Sequence, residues 1–336
     1  MLSRPTSRKC NLLRGIVPLL VAAAILAIAL PVSAREVDWY TSFEDALEAA
    51  RESRKPILVF VYLGTETDDY EGVQERITLP GSRAARERQA VDHRRMIDTT
   101  LKSPGVQEAA RAFEPVMLDI RLKDNDEARQ RLKVSPVVRT NDEQQERVGV
   151  YPITLFLDAN GDELFRRHGY LPPEAYELQL VRATNLFEKL REVVEDPEDP
   201  VLLRNLGRAY MEMDFSRGDR FYRAAIRNLE KAIQRDPDNA TGANFDARVD
   251  LAILRLPDNP RGALDTLGRL AEEEEGERSL EIQYYRAVAH YVSEDHDAAS
   301  RILSDFETDD RNSPYFDSEW TPQALGLLQH IRAKAD

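Results

Sequence analysis

The sequence predicts a layered α/β domain followed by an all-helical one, and three observations lead there. An amphipathic segment at 41–54 runs into six consecutive apolar residues, Ile57 to Tyr62. Residues 153–167 read as strand, tight turn and strand. Beyond an acidic stretch punctuated by prolines at 195–200, apolar residues recur at helical spacing in units of nearly constant length.

The elements follow in order. In TSFEDALEAARESR, residues 41–54, Phe43, Ala46, Leu47 and Ala50 fall on one helical face, with Thr41 or Ser42 as cap and acids in the first turn. The run Ile57 to Tyr62 is apolar at every position and rich in β-favouring types, the pattern of a strand covered on both faces. From Tyr70 to Leu101 the chain is basic and polar, broken at Pro80-Gly81, with a helix expected over 82–100. Ser103-Pro104 opens a helix through Val106, Ala109, Ala110 and Phe113, and 115–120 reads as a second buried strand. The polar stretch 123–147 carries one short helix around 127–132. The 153–157 and 162–167 segments flank Asp158-Ala159-Asn160-Gly161 and predict an antiparallel hairpin. Pro172-Pro173 then opens a closing helix over 174–194.

The first 34 residues are a targeting segment. Arg4, Arg8, Lys9 and Arg14 precede an apolar stretch from Ile16 to Leu30, and Val32-Ser33-Ala34 supplies a small-x-small cleavage site. Two readings stand: a cleaved secretory leader, or an uncleaved anchor, since 16–32 matches the shortest membrane-spanning helices, roughly 17 residues. The chain of 336 residues carries 46 basic and 60 acidic residues, a formal charge of −14. Without the leader the balance is 42 against 60, or −18. Nucleic acid and anionic membrane surfaces are therefore unsuited as partners. Cys10 is the only cysteine and lies inside the leader, so the exported part has no thiol.

In the second half, Leu203-x2-Leu206-Gly207-x2-Tyr210, Ala225-x3-Leu229 and Pro237 follow the tetratricopeptide pattern, in which small residues let paired helices approach. Ala263-x3-Leu267 and Ala299-x3-Leu303 recur at intervals of 38 and 36 residues, near the spacing of about 34 for that repeat. Tyr284-x2-Ala287-Val288-x2-Tyr291 repeats the first-helix signature, whereas the middle unit's first helix matches poorly. Three units with an enlarged turn at 214–220 and a last helix at 322–333 would stack as a short solenoid, whose concave face suits a peptide or protein ligand. The domain plan is thus 1–34 leader, 35–194 α/β domain, 195–200 linker and 201–336 helical repeats.

Residues 36–194 resemble the thioredoxin-like family, in its exported form. The residues that carry this are Trp39, Phe43-Glu44-Asp45-Ala46, Lys55-Pro56-Ile57-Leu58-Val59, Val116-x-Leu118-Asp119, Tyr151-Pro152-Ile153-Thr154-Leu155-Phe156-Leu157 and Asn160-Gly161-x2-Leu164 through Gly169-Tyr170. The resemblance implies a central mixed sheet flanked by helices and a Cys-x-x-Cys at the start of the helix after the first strand. Counted from Pro56, that site falls on Glu66, Thr67, Asp68 and Asp69, with carboxylates at both thiol positions. Thiol–disulfide exchange needs a thiolate, so the usual reaction is denied. Phe60 stands where the family's oxidoreductases often bury an acid. The acids at 66–69 read either as helix-capping residues or as general acid and base or oxygen ligands for a hard cation. The resemblance further implies a cis bond at Tyr151-Pro152, which either lines a peptide groove with 66–69 or sets the geometry that the hairpin needs.

Other chemistry finds no motif. His93, His168, His290, His296 and His330 show no metal spacing, no serine sits in a G-x-S-x-G elbow, and no glycine-rich phosphate loop occurs. The expectation is an exported, redox-inactive binding protein of a bacterial periplasm, anchored to the inner membrane if the leader is uncut, acting on protein or peptide partners as adaptor or chaperone, with no catalytic residue, metal or cofactor. The competing expectation is a thiol-independent enzyme using Glu66 and Asp69 with Tyr151.

Overall fold

A computed structural model describes residues 36–62, 91–119, 122–134, 151–213, 219–273, 278–316 and 318–335. Residues 1–34, residues 66–69, the first part of the 70–101 stretch, residues 135–147 of the second polar stretch and residues 214–218 of the expected enlarged turn lie outside the described residues. Among the described residues no helix is long and apolar enough to cross a membrane. The chain divides into two compact units, Met1–Glu177 and Leu178–Asp336.

In the first unit, helix α1 (Phe43–Ser53) is capped by Ser42, whose hydroxyl accepts from the Asp45 amide, and Glu44 and Asp45 complement its N-terminus. Its buried face is Phe43, Ala46, Leu47 and Ala50, as the spacing predicts. It leads into β1 (Ile57–Tyr62), in which Ile57 to Val61 are wholly inaccessible to solvent. β1 pairs in parallel with β2 (Glu114–Asp119) and antiparallel with β3 (Ile153–Leu157), and β3 pairs antiparallel with β4 (Glu163–His168), giving the order β2-β1-β3-β4. Tyr40 extends the β2 edge with one bridge to Val116.

Both faces of this sheet are covered, which is why β1 is apolar at consecutive positions rather than alternating. On one face Ile57, Val59, Val61, Val116, Leu118 and Leu155 pack with Phe43, Leu47 and Leu132 of α1 and α3 (Asp126–Leu132). On the other, Phe156 meets Phe113 edge-on at 5.9 Å and stacks on Phe165 at 4.2 Å between ring centres. Phe113 follows α2 (Pro104–Ala110), which begins with proline as expected. The expected helix over 82–100 is described only from 91: an α-helical stretch at 91–95 passes into a π-turn, Met96–Thr100. The β3–β4 turn needs Gly161, at φ 87°, while the Asp158 side chain accepts from the amides of Asn160 and Asp162 at 2.8 and 2.9 Å. Helix α4 (Pro173–Glu195) follows, and Tyr176 at its start lies within hydrogen-bond distance of Thr154 on β3.

Among the described residues of the second unit, every regular element is a helix. Helices α5 (Pro200–Glu212), α6 (Arg220–Arg235), α7 (Ala243–Arg255), α8 (Pro260–Glu273), α9 (Arg278–Val292), α10 (His296–Ser304) and α11 (Thr321–Ala335) pack in chain order. Asp199, Asp219 and Asp295 cap α5, α6 and α10 through their side chains. The residues singled out for their repeat spacing, Ala225, Leu229, Ala263, Leu267, Ala299 and Leu303, are all buried at helix–helix contacts.

Gly207 shows why a small residue is needed: a Cβ there would stand 2.7 Å from Leu229 Cγ and Cδ2 and 3.3 Å from its amide nitrogen. α5 and α6 approach too closely for a side chain. We expect Gly207→Val to lower unfolding stability by about 2 kcal/mol, from overpacking against a buried leucine, as measured by urea denaturation.

Candidate functional site

Of the residues singled out in the first unit, Glu66, Thr67, Asp68 and Asp69 lie outside the described residues, and Tyr151 and Pro152 are described. The Tyr151–Pro152 bond is cis. Both residues are buried, Tyr151 to 1 % exposure. The Tyr151 hydroxyl donates to the Val134 carbonyl at 2.6 Å, and the ring meets His93 edge-on at 6.3 Å. Arg166 on β4 donates to the Leu132 carbonyl at 2.9 Å, which closes the C-terminal end of α3. Burial pushes the Tyr151 phenol above its ordinary pKa, against the opposing pull of Arg129 and Arg166. The group is a structural tie between β3 and the end of α3, and it is poorly placed to move protons.

Tyr151→Phe would remove the buried hydrogen bond to the Val134 carbonyl and leave it with no partner among the described residues, so we expect a stability loss of about 1 to 3 kcal/mol at neutral pH. A raised phenol pKa contributes stability that is complete below the unfolded value near 10 and is lost as pH climbs through the folded one. The gap between wild type and variant should therefore narrow above about pH 10, read by denaturation at stepped pH.

The second unit holds a constellation that motif spacing did not reveal. Arg204 and Arg208 on α5, Asp246 and Asp250 on α7, and Arg278 and Glu281 on α9 form one network. Asp250, 1 % exposed in its side chain, takes Arg204 Nε at 3.0 Å, Arg208 Nη1 at 3.2 Å and Arg278 Nη2 at 2.8 Å. Glu281 accepts from Arg208 at 3.2 Å and from Arg278 at 2.8 Å, and Asp246 binds Arg278 at 2.8 Å. Burial works against the charges on Arg278 and Arg208, but Asp250 and Glu281 outweigh it and leave both guanidinia more firmly protonated than usual.

The ion pairs thus link α5, α7 and α9, alternate helices of the unit. The carboxylates of Asp250 and Glu281 are buried, while Arg208 keeps 34 % of its side chain exposed. Next to them Tyr284, Tyr285 and Trp320 make a half-buried trio with ring centres 5.2 to 5.6 Å apart. Burial raises the Tyr285 phenol to about 12, with Glu281 and Tyr284 adding and Arg208 opposing. Among the described residues no cluster of three or more His, Cys, Asp or Glu is arranged to hold a metal ion.

The missed signal is visible in retrospect as charge spacing. Arg204/Arg208 and Asp246/Asp250 are like-charge pairs four residues apart, each unfavourable on its own helix and complementary only to the other. Compared with known proteins, the chain matches no family model, and no curated protein matches it either. Asp250→Asn should cost about 3 to 5 kcal/mol, because it strips the buried guanidinia of their shared charge; thermal and urea unfolding of the variant measures this.

Proposed function

We propose that the chain is an exported, non-catalytic binding protein: a thioredoxin-like domain without thiols, joined to a tetratricopeptide-like helical array, that holds extended segments of other proteins as an adaptor or chaperone in a bacterial periplasm. The observation that carries this reading is the ion-pair linkage of α5, α7 and α9, with Arg208 exposed to 34 % on α5 and the half-buried rings of Tyr284 and Tyr285 on α9 beside Trp320. Stacked helix pairs offer an extended surface of this kind, and its usual occupant is a peptide or protein.

The thioredoxin-like reading of the first unit is supported by its element order. A parallel β1–β2 half feeds an antiparallel β3–β4 hairpin in one mixed sheet, with helices before, between and after the strands. Its non-catalytic character is supported by Cys10 being the only cysteine, inside the leader, and by the burial of the Tyr151 hydroxyl against Val134. A phenol held in that way supplies neither acid nor base to a substrate.

One assay separates the two halves of the proposal. When insulin is reduced by a small thiol, its free B chain precipitates; a thiol catalyst hastens this and a chain-holding protein delays it. The leaderless protein in molar excess is expected to delay turbidity without raising thiol consumption above background. Faster precipitation would contradict the non-catalytic reading, and an unchanged time course would contradict the binding one.

A further inference from the structure

The donors of the arginine network do not all have partners. Arg204 spends Nε on Asp250 and Nη1 on Asn205, at 3.0 and 3.2 Å, with Asp246 at 3.6 Å from Nη1. Its Nη2 donates to nothing among the described residues. Arg208 spends Nη1 on Asp250 and Nη2 on Glu281, both at 3.2 Å, and its Nε has no acceptor among the described residues. A guanidinium carries five N–H groups, so each terminal nitrogen keeps a second one. Arg278 differs: Nε, Nη1 and Nη2 are all engaged, by Glu281, Asp246 and Asp250. The spare capacity is concentrated on Arg204 and Arg208, one turn apart on α5, and Arg208 is the more exposed of the two.

Two further properties define what those donors fit. First, the guanidinia are held by buried carboxylates, so little side-chain freedom remains to be lost on binding. Second, three arginines face Asp246, Asp250 and Glu281, so the formal charge of the network is zero, in a chain whose overall charge is −14. An incoming anion would meet oriented donors but no net positive charge, and it would add a negative charge beside Asp246, whose side chain is partly exposed. A neutral acceptor gains the hydrogen bonds without that repulsion. The acceptor that repeats along an unfolded chain is the main-chain carbonyl, and Tyr284, Tyr285 and Trp320 supply apolar surface next to it.

We propose that Arg204 and Arg208 are a subsite for main-chain carbonyl groups of an extended peptide, with no charge required of the ligand. This rests on the binding reading given above and names the ligand chemistry for the first-helix face. It separates this site from charge-based recognition, in which a ligand carboxylate pairs with an unneutralised cation and affinity falls steeply with salt.

The test uses the leaderless protein with Trp39→Phe, which leaves Trp320 as the fluorescent reporter beside Tyr285. The probe is a peptide of about twelve Gly, Ser, Thr and Val residues, acetylated and amidated, which extends over roughly 40 Å. Three helices packed at about 8 to 10 Å are within that length. We expect saturable binding whose Kd changes less than about twofold between roughly 0.05 and 0.5 M salt. Replacing the amide end by a free carboxylate should bring no gain in affinity.

The double variant Arg204→Lys/Arg208→Lys keeps the charges but loses the spare fork donors, and should bind about tenfold more weakly. Its thermal unfolding is measured alongside, and the salt and end-group arms need no variant at all. Dependence on a free carboxylate, steep salt sensitivity, undiminished binding by a folded double-lysine variant, or preference for a neutral oligosaccharide would each overturn the inference while leaving a binding role in place. Failure to bind either peptide, together with an unchanged insulin time course, would overturn both.

Discussion

A single buried carboxylate, Asp250 on α7, holds guanidinium groups from α5 and α9, the helices two before and two after its own. Taken alone, α5 carries two arginines one turn apart and α7 two aspartates one turn apart, and each arrangement opposes its own helix by a few tenths of a kcal/mol. Neither can be satisfied within a helix or within a helix pair. Both are satisfied when the ion pairs link α5, α7 and α9, so the charges act as a condition on the packing of the unit. Removing ions from water is costly, and a network of this kind is stable only when every member is present. The same condition leaves Arg204 and Arg208 immobilised with donors to spare, which is the arrangement a binding surface requires.

The first unit is organised differently. Its sheet is covered on both faces, and the packing of Phe43, Leu47 and Leu132 on one side and Phe113, Phe156 and Phe165 on the other needs no charge to specify it. The polar groups that remain inside are ties. Tyr151 binds the Val134 carbonyl, Arg166 binds the Leu132 carbonyl, and Asn125 donates to the Asp119 carbonyl, each joining a strand to the chain around α3. Buried side chains with filled hydrogen-bond roles stabilise a scaffold and are poor participants in proton transfer.

Much of this was legible in the residues. Strand β1 was visible because six apolar residues in succession suit a strand buried on both faces, and the hairpin because Asp158 and Gly161 each have a role in its turn that few other residues can fill. The helix contacts at Ala225, Ala263 and Ala299 were visible because a small residue every four positions from a leucine has few purposes other than close approach. The arginine network was not legible. Its members are separated by 28 to 46 positions in most pairings, and a charged residue on a helix is read first as a solvated face. Tyr151 gave no sign of its burial, since a tyrosine before a proline suits an exposed loop as well as a covered one.

What the sequence determined by itself is what depends on near neighbours: which segments become helix or strand, where caps and turns stop them, and that Cys10 is the only cysteine. Those follow from backbone geometry and side-chain type over a few residues. The tertiary structure alone decided which charges are buried and which donors stay open, because desolvation and pairing are properties of groups brought together from distant positions. Asp250 is one aspartate among many in the chain until three helices surround it.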